Sequence, residues 1–147
     1  MIQSKELFWR MTKISERYLE LKTIFDNFYQ LSADRLTDEK SPFKGIIFLP
    51  QLEKNFFDVS FAGKETRFSF VVAGDEKAIL LGFVKCSPIG PDEKPLDTVI
   101  GEFSFNRQAE TSVKDPDNDG DPLCIDVPWG AGYIVLNLLY DSFARSD

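Results

Sequence analysis

Phe57-Asp58-Val59-Ser60-Phe61-Ala62-Gly63-Lys64-Glu65-Thr66-Arg67-Phe68-Ser69-Phe70-Val71-Val72 reads as two strands joined by a turn. Phe57, Val59 and Phe61 alternate with Asp58 and Ser60, Gly63-Lys64 supplies the turn, and Phe68, Phe70 and Val72 alternate with Arg67 and Ser69. A period of two interrupted by a short Gly turn predicts an antiparallel hairpin with one apolar face.

The same pattern continues outward on both sides. Gly74-Asp75-Glu76-Lys77 reads as a second turn, and Ala78–Lys85 is apolar on both faces, which suits a central strand. Upstream, Lys44–Leu49 is a short apolar run closed by Pro50. Downstream, Ser87–Pro95 carries three prolines and reads as a loop, because proline cannot donate to a ladder. Val99, Gly101, Phe103 and Phe105 alternate with Ile100, Glu102 and Ser104, and Leu123, Ile125 and Val127 alternate with Cys124 and Asp126.

The period changes to helical over residues 4–31. Leu7, Met11, Ile14, Tyr18, Leu21, Phe25 and Phe28 repeat at spacings of four and three, with Ser4 as the expected N-cap and Glu6 in the first turn. Such a stripe predicts a helix laid across the sheet as one wall of the core. A self-associating helix is the sharper alternative, since three heptads approach the minimum for a coiled coil. Residues 32–43 are polar and read as a connection. Tyr133–Ala144 is apolar nearly all round; a buried helix is favoured there over a last strand.

The expected fold is therefore a single α+β domain over 1–147. A long N-terminal helix packs on a mainly antiparallel meander sheet of five or six strands, with a short C-terminal helix beside it. Phe57, Phe61, Phe68, Phe70, Phe83, Phe103 and Phe105 are expected to face the helix stripe.

Composition excludes more chemistry than it supports. The chain has no histidine, so the commonest general base and metal ligand are missing. No phosphate-cradling loop is present; Gly130-Ala131-Gly132 reads as a turn or helix start. Cys86 and Cys124 sit in strand patterns, where a thiol is commonly a small buried hydrophobe. Glu102 and Asp126 read as exposed strand acids. No recognisable catalytic constellation remains, and no enzyme is expected.

Charge is concentrated. The formal net charge is −7, and residues 92–126 alone carry ten acids against Lys94, Arg107 and Lys114. That segment repels phosphate backbones, so no nucleic acid is expected as partner. The start of the chain has no apolar signal core and the apolar runs are too short to span a bilayer. A soluble, reduced, cytoplasmic protein with no membrane association is expected.

Within the acidic segment, Asp115, Asp117, Asp119, Asp121 and Asp126 fall at positions 1, 3, 5, 7 and 12 of a twelve-residue run, with Gly120 at position 6. Over these residues the run resembles the Ca²⁺ loops of EF-hand and dockerin-type modules. The resemblance implies side-chain oxygens from Asp115, Asp117 and Asp119, the carbonyl of Asp121 and a closing carboxylate from Asp126. The run departs from that pattern in carrying Asp126 where Glu is usual and Pro122 where a free N–H is usual, and its flanks read as strands. The preferred reading is a metal-free turn with no cofactor, because Asp and Asn bond their own backbone and tolerate left-handed φ.

These features predict a small acidic, non-catalytic interaction protein acting through protein–protein contacts, of chaperone, immunity or inhibitor type. Self-association, as a homodimer, is expected from the surplus of apolar helical surface. The long helix, sheet and acidity are loosely similar to type III secretion chaperones in architecture alone, without a shared motif and without their middle helix. The alternatives are a small apolar-ligand binder with a Phe-lined pocket, and a protein with a structural Ca²⁺ loop at 115–126.

Overall fold

The computed structural model describes residues 2–75 and 77–144. Element order is α1 (Ser4–Thr37), β1 (Ile47–Gln51), a single 3₁₀ turn (Leu52–Lys54), β2 (Phe56–Phe61), β3 (Lys64–Gly74), β4 (Leu80–Pro88), β5 (Gly101–Phe105), β6 (Glu110–Lys114), β7 (Pro122–Cys124) and α2 (Pro128–Ala144). The seven strands follow one another across a single sheet in chain order, every pair antiparallel. The α+β meander stands as expected, with one strand more than the pattern predicted.

The central hairpin forms as its alternation dictates. Its turn is Ala62-Gly63 rather than Gly63-Lys64: both residues have positive φ, 52° and 84°, and Phe61 pairs with Lys64. Two left-handed residues in a row match the right-handed twist of the flanking strands. The second turn includes Glu76, which lies outside the described residues.

Register places Phe57, Val59, Phe68, Phe70, Val84, Cys86, Phe103 and Phe105 on one face, all buried. Phe25 and Phe28 of α1 descend onto that face. Phe25 stacks on Phe70 at 5.1 Å and lies 5.7 Å from Phe57, while Phe28 meets Phe57 and Phe103 edge-on. Beneath them Phe57 and Phe68 stack at 5.0 Å with an interplanar angle of 5°. Aromatic pairs of this kind add about 0.5–1.5 kcal/mol each beyond area burial. Phe83 was expected on this face and is not. It pairs with Val71 and Ser104, one position out of phase with Gly82 and Val84, and stands half-buried on the sheet's other side.

Three further expectations are corrected. Helix α1 does not stop at residue 31 but runs to Thr37. The polar-looking Ser32 is buried because its hydroxyl donates to the Phe28 carbonyl, and Leu36 packs into the core. Ser4 is the first helical residue rather than the cap; the cap position is Gln3, with no side-chain cap bond. The seventh strand, β6, was missed because Glu110-Thr-Ser-Val-Lys114 has almost no apolar alternation. Its Thr111 is buried and donates a hydrogen bond of 2.7 Å to the Leu123 carbonyl instead.

Helix α2 packs on the C-terminal half of α1 and begins five residues before the expected apolar run, with Pro128 in its first turn. Gly130 is required there, since a Cβ would lie 1.9 Å from the Cys124 carbonyl oxygen.

The depth of the α1 stripe varies along its length. Leu21, Phe25 and Phe28 are fully buried, so Phe25→Asp should cost several kcal/mol of the roughly 5–15 kcal/mol that holds a domain together. Ile14→Asp, on the same helix face, should stay within about 0.5 kcal/mol of the parent at protein dilutions low enough to exclude association. Paired chemical denaturation of the two variants checks this contrast.

Candidate interaction surface

At about 1.5 Å per residue, a helix of 34 residues is about 51 Å long. The first contacts of α1 with the body fall at Tyr18 and Glu20. The Tyr18 ring lies 6.0 Å from Phe70, Asn55 donates a 3.1 Å hydrogen bond to the Tyr18 hydroxyl, and Glu20 pairs with Arg107 at 3.0 Å. The Glu20 side chain is exposed but hemmed by Arg17 and Arg107. Desolvation pushes its pKa up, but the hydrogen bonds and charges of Arg107 and Arg17 outweigh this and hold it below the usual carboxylate range.

N-terminal to these contacts the helix projects as an arm. The stripe that is fully buried at Leu21, Phe25 and Phe28 continues in the same phase through Leu7, Met11 and Ile14, whose exposures are 47%, 54% and 44%. Phe8 beside them is 77% exposed and Trp9 62%. These residues were expected to form part of the core wall. They do not, because periodicity fixes which face of a helix is apolar, not how far the opposing surface extends. The arm keeps its helical form through i,i+3 and i,i+4 ion pairs, Glu6–Arg10 at 2.8 Å, Lys13–Glu16 at 3.4 Å and Arg17–Glu20 at 3.1 Å. Lys13 also stands over the Trp9 ring, 5.9 Å from its centroid.

Beyond Phe70, strand β3 continues to Gly74 and pairs with Leu80 onward in β4. The arm and this hairpin end leave the core at the same end of the molecule, where Val71 and Ile79 are also exposed.

A groove of about 620 Å³ lies at the other end of α1, between Leu31, Leu36, Phe43, Trp129, Tyr133 and Leu136, with Asp34, Arg35 and Lys40 on its rim. Trp129 and Tyr133 stack across one turn of α2 at 5.5 Å. The Phe-rich interior is a separate region, in which the rings fill the space between sheet and helix.

The acidic run forms the β6–β7 connection and closes on its own backbone. Asp115 accepts hydrogen bonds from the Asp117 N–H at 2.8 Å and the Asn118 amide at 3.2 Å, and these hold its carboxyl below the usual range. The Asp115 N–H donates to the Asp121 carbonyl, the Asp121 N–H to the Asn118 carbonyl, and Gly120 takes φ of 86°. Asp117, Asp119 and Asp121 point to solvent, and Asp126 lies in the turn before α2 rather than in a strand. Among the described residues no three carboxylates or thiols come together as a metal-holding set. Glu102 is exposed on the outer sheet face opposite Lys85.

Both cysteines are free thiols. Burial pushes Cys86 up to about 12, with Asp141 adding to the shift, so it carries no thiolate at neutral pH. Cys124 is half-buried and is also raised, by desolvation and by Asp126 and Glu110. No helix among the described residues is long and apolar enough to cross a membrane.

With this geometry in view, comparison with protein families, with curated proteins and with solved structures finds no match for the chain.

The self-closing acidic turn makes a definite expectation for cations. Ca²⁺ should raise the melting temperature no more than Mg²⁺ does at matched ionic strength, since screening of carboxylate repulsion is the sole effect. A Ca²⁺-specific rise that disappears in Asp119→Ala would instead establish linkage to a bound ion.

Proposed function

We propose that this is a non-catalytic interaction protein whose docking element is the projecting N-terminal half of α1. The observation that carries the reading is the change in burial along one helical stripe, fully covered at Leu21 and open at Leu7, Met11 and Ile14. The largest apolar patch on a protein surface is often a contact site. A helix presenting anchors at i, i+4 and i+7 is also a common form of peptide recognition.

The rest of the chain supports the same reading. It has no histidine, its Cys86 thiol is inert, and the carboxylates of its acidic segment occupy exposed turns and outer strand positions. The outer sheet face contributes a rigid platform in which Arg67 pairs with Asp58 at 2.8 Å and stacks over Phe56 at 3.9 Å. That pair raises the Arg67 pKa, chiefly through its hydrogen bond to Asp58.

The test places a photo-reactive benzophenone side chain at Phe8 in the producing cell. Irradiation should yield discrete protein adducts, and these should disappear when Leu7, Met11 and Ile14 are all changed to Ser. The triple variant should melt at the parent temperature once both are diluted to monomers. Absence of adducts, or loss of several degrees of melting temperature by the diluted triple variant, would overturn the reading, because the arm would then be packing on its own body.

A further inference from the structure

We infer that the arm's partner is the same arm of a second copy of this chain, paired antiparallel about a twofold axis near Met11. This rests on the docking role argued for the arm and names its occupant.

Three observations support the inference. The first is the spacing. Leu7, Met11 and Ile14 continue the four-three repeat of Tyr18, Leu21, Phe25 and Phe28, so the exposed part of α1 carries the seam of a two-helix contact. An isologous contact needs a patch complementary to itself. A twofold axis between Arg10 and Met11 brings Leu7 of one arm level with Ile14 of the other and leaves the two Met11 side chains offset by about 1.5 Å along the helix, so the seam nearly superposes on itself when reversed.

The second observation is charge. Arg10, Lys13 and Arg17 are each paired within the arm to Glu6, Glu16 and Glu20. Over residues 4–17 the arm carries four Lys/Arg against two Glu, with Lys5 the cation outside these pairs, so no continuous unpaired cationic stripe is offered to a phosphate backbone or an acidic peptide. The excess of acid that would drive two copies apart lies elsewhere, in residues 92–126. Two arms can meet without strong repulsion.

The third is area. Leu7, Phe8, Met11 and Ile14 expose apolar surface of roughly 400–500 Å² per copy, taking an aromatic side chain at ~150–250 Å². With the aliphatic stems of Arg10 and Arg17 on one flank, two fully covered arms would together reach at most about 1,000–1,200 Å², the range of weak and transient contacts. A reversible dimer follows, not a permanent one.

Sedimentation equilibrium of the full chain at roughly 50 µM should give a mean mass above the 16.8 kDa chain mass, rising toward twice that value with concentration, as a reversible contact implies. Leu7→Asp/Ile14→Asp should give the single mass. The antiparallel register has its own readout, independent of whether that variant folds. With Cys124 changed to Ser, the Leu7→Cys and Ile14→Cys proteins, mixed and oxidised, should cross-link to each other faster than either does to itself. A monomer at this concentration overturns the inference, as does preferential self-linking of Leu7→Cys, or a dimer whose Phe8 photo-adducts map to the groove at Trp129. The two levels of the argument separate in the photo-adducts from Phe8. Adducts to a different protein together with a monomeric chain would leave the docking role standing and remove the second copy as its occupant.

Discussion

The seating of Phe25 and Phe28 on the aromatic face of the sheet fixes everything else about this molecule. Those two rings lock α1 to Phe57, Phe70 and Phe103, and so decide where along its length the helix is covered. Seven residues before Phe25, the contact thins to Tyr18 and its hydrogen-bond partner Asn55. Further toward the N-terminus the apolar stripe at Ile14, Met11 and Leu7 is exposed. The helix therefore leaves the core as an arm, and the stripe it carries there is apolar.

The other end of α1 is held differently. Ser32, Ala33 and Leu36 are buried, and α2 lies against this part of the helix. The glycines that begin α2 permit that approach: Gly130 admits the Cys124 carbonyl, and Gly132 leaves room for the aliphatic stem of Arg35. The Lys64 ammonium donates to the Ser142 carbonyl at 2.9 Å and lies 4.9 Å from the Phe143 ring, which ties the end of α2 back to the central hairpin. Helix α1 is thus packed along its C-terminal half and exposed along the arm. That asymmetry separates the structural half of α1 from the half proposed as the docking element.

The sequence makes some of this legible and hides the rest for physical reasons. Alternation at Phe57–Phe61 and Phe68–Val72 is readable because one sheet face is dry and the other wet. Strand β6 is not readable, since Thr111 is buried through a hydrogen bond to Leu123 rather than through apolarity. The parity of Phe83 is hidden because its strand is apolar on both sides. The end of α1 is hidden because Ser32 satisfies its own hydroxyl within the helix. The acidic run is legible as a turn, in which Asp115 accepts the Asx bond from the Asp117 N–H. The arm is the instructive case: Leu7, Met11 and Ile14 have the periodicity of core residues, and whether a stripe is core or contact depends on the length of the surface opposite, which no local pattern contains.

Residue-resolved hydrogen exchange along α1, at a dilution where light scattering reports a monomer, tests the central claim most directly. The account predicts a step near Tyr18, with amides from Leu21 to Leu36 protected to nearly the global unfolding free energy and those from Phe8 to Ile14 exchanging orders of magnitude faster. Uniform protection from Phe8 to Leu36 in the monomer would contradict it, because the arm would then be part of the core rather than the surface it presents to a partner.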